Sequence, residues 1–193
     1  MKSVKAGPKR GTRPSPKADI LAATEQLLVS QGASAATVRA ITALAGVNSA
    51  SINYHFGSRD ALFGIVCSRR MQTSNREILR RLEALEDRGE PPTVAEIFQP
   101  LVETALQVWV NDEVLRALRS MIFFSPGIAN SMNEQSMADV YVQMRGALMR
   151  ACPNLSTRQI RKRFRLAMSA IMQVVHAEDA HLTWAREEIT VED

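Results

Sequence analysis

Residues 37–62 read TVRAITALAGVNSASINYHFGSRDAL, and two short helical patterns meet in them at a glycine. The first runs from Thr37 to Ala45 with Val38, Ile41 and Ala45 on one face, and Thr37 is placed to cap its free N–H groups. Gly46 supplies the positive-φ residue that lets the chain turn sharply. The second pattern occupies roughly Ser49 to Phe56, capped by Asn48 and broken by Gly57, and Ser58 caps the helix that follows. Ile52 and Phe56 are four apart and share a face, so Ala50, Ser51, Asn53 and Tyr54 point away from it. Two short helices joined by a glycine-containing turn form the helix-turn-helix unit, whose second helix lies in the DNA major groove. A purely structural helical hairpin is the alternative reading of the same residues. The helix-turn-helix is favoured because a short helix that turns small polar groups and a tyrosine outward suits close approach to base edges and phosphates.

Working outward, residues 1–17 hold six basic residues, three prolines and no acid, the composition of a flexible arm. A helix should begin near Ser15 or Pro16 and run to Gln31, with Ile20, Thr24, Leu27 and Leu28 inward and Gly32 as its stop. Downstream, Ser58 opens a helix of nearly thirty residues with an apolar stripe of Leu62, Ile65, Val66, Ile78, Leu82 and Leu85, ended by Gly89, Pro91 and Pro92. Helical segments follow at about Thr93–Val110, Asn111–Phe124 (stopped by Pro126 and Gly127) and Asn133–Ala151. A last one opens at Ser156 and runs past His176, with a break expected before Thr183.

Composition agrees with a folded helical chain: 46% apolar, 23% charged and only 5% aromatic residues, and almost no alternating or β-branched runs. The predicted fold class is all-α, with an N-terminal three-helix helix-turn-helix domain joined by a long helix to a C-terminal helical regulatory and dimerisation domain. The expected divisions are an arm at 1–16, a DNA-binding domain at 17–63 and an effector-binding and dimerisation domain at 64–193. Residues 1–64 carry eight Lys or Arg against three acids, the footprint of a polyanion binder, although a basic tail can also serve solubility alone. Cys67 and Cys152 lie far apart in apolar helical patterns, which predicts reduced thiols in a cytoplasmic protein. No apolar stretch suits a secretory leader or a membrane span, so no membrane partner is expected.

The candidate DNA-binding residues are Thr37, Arg39, Ser49, Ala50, Ser51, Asn53, Tyr54, His55 and Arg59. Arg39, off the apolar face of its helix, can pair with the O6 and N7 of guanine. Arg59 sits in a first helical turn beside unpaired backbone N–H groups, a seat for phosphate. Tyr54 and His55 can donate to the DNA backbone, and the arm can reach the minor groove. His176, Glu178, Asp179 and His181 have the composition of a metal cluster, but histidines five apart do not share a helical face, so no metal is expected. The run Arg158, Arg161, Lys162, Arg163 and Arg165 reads either as a solvated face or as a further DNA contact, the first being favoured. No nucleophile elbow, phosphate loop, zinc-protease motif or carboxylate pair is present. The chain is therefore expected to be neither an enzyme nor a cofactor binder.

The stretch from residue 20 to residue 63 resembles the N-terminal domain of the TetR/AcrR regulators. The resemblance rests on Thr37, Ile41, Ala45-Gly46-Val47, Tyr54-His55-Phe56 and Ser58-Arg59 with Leu62, in order and at the family's spacing. Thr42, Ala50, Asn53 and Arg59 depart from the usual residues. Asn53 changes a potential reader, so the operator sequence cannot be borrowed from relatives. The resemblance implies a homodimeric, sequence-specific regulator of a near-palindromic site in double-stranded DNA, a repressor released by a small-molecule effector. The alternative is a sequence-tolerant DNA-binding or protein-interaction module of the same fold without effector response. Candidate pocket residues are Phe98, Leu101, Trp109, Met121, Phe123, Met144 and Phe164. The late-helix stripe Ile160, Phe164, Ala167, Met168, Ile171 and Val175 suits a dimer interface, and an intramolecular core stripe would look identical.

Overall fold

A computed structural model describes residues 15–176, and side chains within them except at ten positions, including Phe123 and Val175. All regular structure among the described residues is helical. Helix α1 spans Pro16–Gln31, α2 Val38–Ala45 and α3 Ala50–Phe56. Each begins where a short polar side chain takes up a free N–H. Ser15 accepts from the Ala18 N–H at 3.3 Å, Thr37 from Ala40 at 3.2 Å and Asn48 from Ala50 at 2.9 Å. Gly46 closes α2 in the left-handed region at φ 66°, as the turn requires. Ile20, Leu21, Leu27 and Leu28 of α1 bury against Ile41, Ile52 and Phe56, a core small enough to leave most of α3 in solvent.

Ser58 caps the long helix α4, Arg59–Glu86, by accepting from the Ala61 N–H at 3.0 Å. Its Leu62, Val66, Ile78 and Leu82 are buried as expected, while Ile65 and Leu85 are half-buried. The expected boundary between residues 63 and 64 falls inside this helix, which runs unbroken from head to body. Helix α5, Val94–Asn111, opens with a reciprocal capping box between Thr93 and Glu96. Helix α6, Glu113–Phe124, opens on the Asp112 carboxylate, which accepts from Leu115 N–H at 3.0 Å. Trp109, Leu115 and Leu118 fill the centre of the body.

Pro126 and Gly127 do not hold the chain out of helix. Pro126 is the first residue of α7, Pro126–Met132, where a missing N–H costs nothing and its φ suits a helix start. A π-helical turn at Asn133–Met137 then leads directly into α8, Ala138–Ala151, so the segment expected to begin at Asn133 is the continuation of an earlier helix. Helix α9, Thr157–His176, follows a tight turn in which Leu155 N–H donates to the Cys152 carbonyl at 3.0 Å. The break expected before Thr183, the arm at 1–14 and the residues from 177 onward lie outside the described residues.

Head and body are joined where α4 crosses α7. Gly64 makes that crossing possible: a Cβ there would stand 2.5 Å from the Ser131 Cβ and 2.9 Å from the Ile128 carbonyl oxygen. Ser125 Oγ donates to Asp60 at 2.6 Å and Ser131 Oγ to the Ala61 carbonyl at 3.1 Å, so the first turns of α4 are tied to α7. Further along α4, Arg70 pairs with Glu25 of α1 and, at 3.5 Å, with Asp112 at the α5–α6 turn.

Candidate DNA-reading surface

The outward face of α3 is polar and free. Ile52 is fully buried and Phe56 nearly so, which turns Ser49, Ala50, Asn53 and Tyr54 to solvent, with Tyr54 85% exposed. Ser51 and His55 are half-buried at the edges of this face. The His55 ring meets Tyr54 edge-on at 4.8 Å between centroids, which supports the tyrosine from one side. The capping bond to Asn48 and the left-handed Gly46 fix the angle at which α3 leaves α2. Seven residues give α3 two turns, enough to present side chains to a groove but too short to persist in water without its packed face.

Arg39, exposed on the second residue of α2, makes no ion pair among the described residues and is available to an acceptor. Thr37 is exposed; its oxygen accepts from Ala40, and its hydroxyl proton remains for donation. Arg59 is half-buried, its guanidinium 5.1 Å from the Phe63 ring centroid and 3.9 Å from Asp60. Asp60 in turn accepts from Ser125, which draws the carboxylate toward the body. The Phe63 ring therefore positions the Arg59 cation beside the first turn of α4.

Lys17 is not among the expected DNA-binding residues, yet it is the second residue of α1, and its Nζ lies 5.8 Å from the Phe56 ring centroid at the end of α3. The signal was the Ser15-Pro16 cap, which already placed residue 17 inside a helix. Thr42, noted as a departure, is buried, with its hydroxyl donating to the Val38 carbonyl at 2.9 Å, so it is consumed within α2.

Residues 20–65 match the family of bacterial regulatory proteins, tetR family. The head of the chain is therefore similar to the DNA-binding domain of that family. Solved structures of the same fold extend the likeness beyond the head. The chain shares 18% identity and a TM-score of 0.52 with NalD of Pseudomonas aeruginosa, the secondary repressor of the MexAB-OprM multidrug efflux pump; the match covers 86% of this chain and 87% of NalD. A candidate transcriptional regulator from Pseudomonas aeruginosa PAO1 matches at 18% identity and TM-score 0.51, over 87% of this chain and 82% of the other. The multidrug binding protein EbrR, complexed with imidazole, matches at 17% identity and TM-score 0.49, over 84% and 86% of the two chains. No curated protein matched the sequence.

In the body, the residues named for one effector pocket are divided among several places. Phe98 and Phe164 line a cavity of about 190 Å³ between α5, α8 and α9. Leu101 and Trp109 border a gap of about 20 Å³ against α4 and α7. Met144 is buried and Met121 half-buried in the core, and the Phe123 side chain lies outside the described residues. A third, open cavity of about 280 Å³ lies along α4 beside the π-helical turn, bordered by Arg69, Asn75, Arg76 and Ser136; sequence reasoning did not find it.

The late-helix stripe packs within the chain. Ile160 is buried, and Phe164, Met168 and Ile171 are half-buried against the core. The Phe164 ring meets Phe98 at 5.9 Å and Tyr141 at 5.6 Å. Ala167 borders the 190 Å³ cavity, and the Val175 side chain lies outside the described residues. Of the metal-like group His176, Glu178, Asp179 and His181, the last three and the side chain of the first also lie outside them. No helix among the described residues is long and apolar enough to cross a membrane.

Proposed function

We propose that this transcriptional regulator is a cytoplasmic, homodimeric repressor that reads a near-palindromic operator through α3 and leaves it when a small molecule binds the body. The observation that carries the reading is the α3 face: a helix anchored by Ile52 and Phe56 that offers Ser49, Asn53 and a Tyr54 85% exposed, with Arg39, Arg59 and Lys17 around it. Such a face has no folding role and fits a groove lined by phosphates. Two copies related by a two-fold axis would place their α3 helices about 34–36 Å apart, one turn of DNA. Residues 17–63 serve as the reading head and residues 64–193 as the sensing and pairing body.

The dimer contact is assigned beside the expected stripe. Because Ile160, Phe164, Met168 and Ile171 turn inward, the surface left for a second copy is the opposite side of α8 and α9, where Val142, Met149 and Leu166 are exposed at 58%, 45% and 63%. The small residues Ser169 and Ala170 lie on α9 next to Leu166 and would let a helix approach. Release follows from α4: its first turn holds Arg59, and the close crossing at Gly64 ties that turn to α7. An effector that prefers a body with a different α7 position therefore changes the spacing of the heads, by no more than its differential affinity for the two states. NalD, a repressor of an efflux pump, lends a precedent of fold and supplies no ligand for this chain. No turnover is assigned to any residue.

The test is a footprint on DNA flanking the protein's own gene at two salt concentrations. A protected near-palindrome that survives moderate salt is the expected result. Diffuse protection lost with salt would replace specific regulation by sequence-tolerant binding.

A further inference from the structure

The 190 Å³ cavity between α5, α8 and α9 has a chemistry of its own. Its walls are Phe98, Leu148, Leu155 and Phe164, with Cys152 on the α8–α9 turn and Arg163 at its margin. An apolar cavity of about 150 Å³ already admits benzene, so this one has room for a single aromatic ring and a short substituent. Two phenyl rings on the wall, 5.9 Å apart, suit stacking or edge contact with a third. Arg163 makes no ion pair among the described residues. It stands in a helix that carries Arg158, Arg161, Lys162 and Arg165 and no acid from 157 to 176. The local field therefore favours an anion, and a guanidinium at the mouth of an apolar cavity is a fork for a carboxylate. Of the basic run, Arg163 alone borders the cavity, and Arg158, Arg161, Lys162 and Arg165 are exposed.

We propose that this cavity binds a small aryl carboxylate, with its ring against the Phe98–Phe164 pair and its carboxylate on Arg163. The site lies apart from the α4 cavity, and its walls belong to the three helices that close the body. A ligand here would act on DNA affinity only through those helices. That last link rests on the regulator reading above; the binding site itself does not.

The chain carries its own reporter. Cys67 is fully buried and its thiol is pushed up to about 12 by burial and by the nearby Asp112 carboxylate, whereas Cys152 is half-buried on the cavity wall. Full-length protein is titrated calorimetrically with phenylacetate and with phenethylamine, a cation of similar shape, and N-ethylmaleimide labelling of Cys152 is followed by mass spectrometry. Phenylacetate is expected to bind at least about tenfold more tightly than the amine, the size of one charged hydrogen-bonded pair, and to slow labelling at Cys152. R163Q, a change at an exposed position, is expected to abolish that preference. Absence of heat and of protection at millimolar phenylacetate would overturn the site. So would equal binding of acid and amine, a preference that survives in R163Q, or binding with Cys152 labelling unchanged. Footprinting on the same samples separates the two readings: binding without loss of the footprint overturns the effector role and leaves the site. DNA release by other compounds with no phenylacetate binding does the reverse.

Discussion

Arg39 and Arg59 carry the same charge and are assigned different work. Arg39 is exposed and unpaired, so its planar fork can match a base edge; Arg59 is held by Phe63 beside a helix start, where a phosphate would sit. Arg39→Ala should cost about 1–3 kcal/mol on the best operator and relax the preference at one base pair. Competition with operator variants measures this, and equal loss on every sequence would refute a reading role. Arg59→Ala should weaken binding to all DNA alike and lower the salt slope by about one. A slope unchanged by the substitution would remove the phosphate contact. Gly64 matters for a different reason, because the atoms that a Cβ would strike include the backbone oxygen of Ile128. Gly64→Ala should lower stability by about 1–3 kcal/mol, read from thermal unfolding. An unchanged Tm would mean that α4 and α7 separate without cost.

Among the elements, α5 shows how a start signal becomes a pH response. Glu96 accepts from the Thr93 N–H at 2.8 Å, while Arg88 pairs with it at 2.8 Å, and these partners, Arg88 foremost, lower its carboxyl to about 2. A carboxyl lowered on folding adds stability that is present above its ordinary value near 4.5 and lost as pH falls toward 2. Amide exchange at the start of α5 should therefore quicken across that window, and Glu96→Gln should flatten the response. Equal acid sensitivity in both proteins would assign it to other groups. The caps of α2, α3 and α4 at Thr37, Asn48 and Ser58 were legible, because a cap is settled within four residues. The start of α7 was read as a stop, because Pro126 can end one helix or open the next; Ser125 caps the second by accepting from the Ile128 N–H at 3.4 Å, and the packing of Ile128 against α4 adds to it. The π-helical turn at Asn133–Met137 has no local sign. It lies where Asn75 of α4 donates to the Ser136 carbonyl at 3.0 Å, a contact between residues 61 apart.

At the scale of the whole molecule, the prediction concerns which face of α9 meets a second copy. Leu166 is 63% exposed and Ile171 packs into the body. Leu166→Glu should therefore give a folded monomer with weak operator binding, whereas Ile171→Glu should lose helical content before it loses pairing. Sedimentation and far-ultraviolet circular dichroism on both variants decide this. A dimer surviving in Leu166→Glu would move the interface away from this face.

The helices of the head were legible in the sequence alone, because the signals that start, stop and orient them are short-ranged. Thr37, Asn48 and Ser58 find their N–H partners two or three residues away, Gly46 needs only its own φ, and Ile52 and Phe56 are four apart on one helix. In the body the sequence marked the helices, and tertiary structure alone decided how they pack. An apolar stripe such as Ile160 to Ile171 is the same string whether it is buried by its own chain or by a copy, and periodicity cannot choose between them. The partners of Gly64, the division of the expected pocket and the cavity at Arg163 all depend on side chains brought together from helices far apart in sequence, through packing that no local pattern encodes.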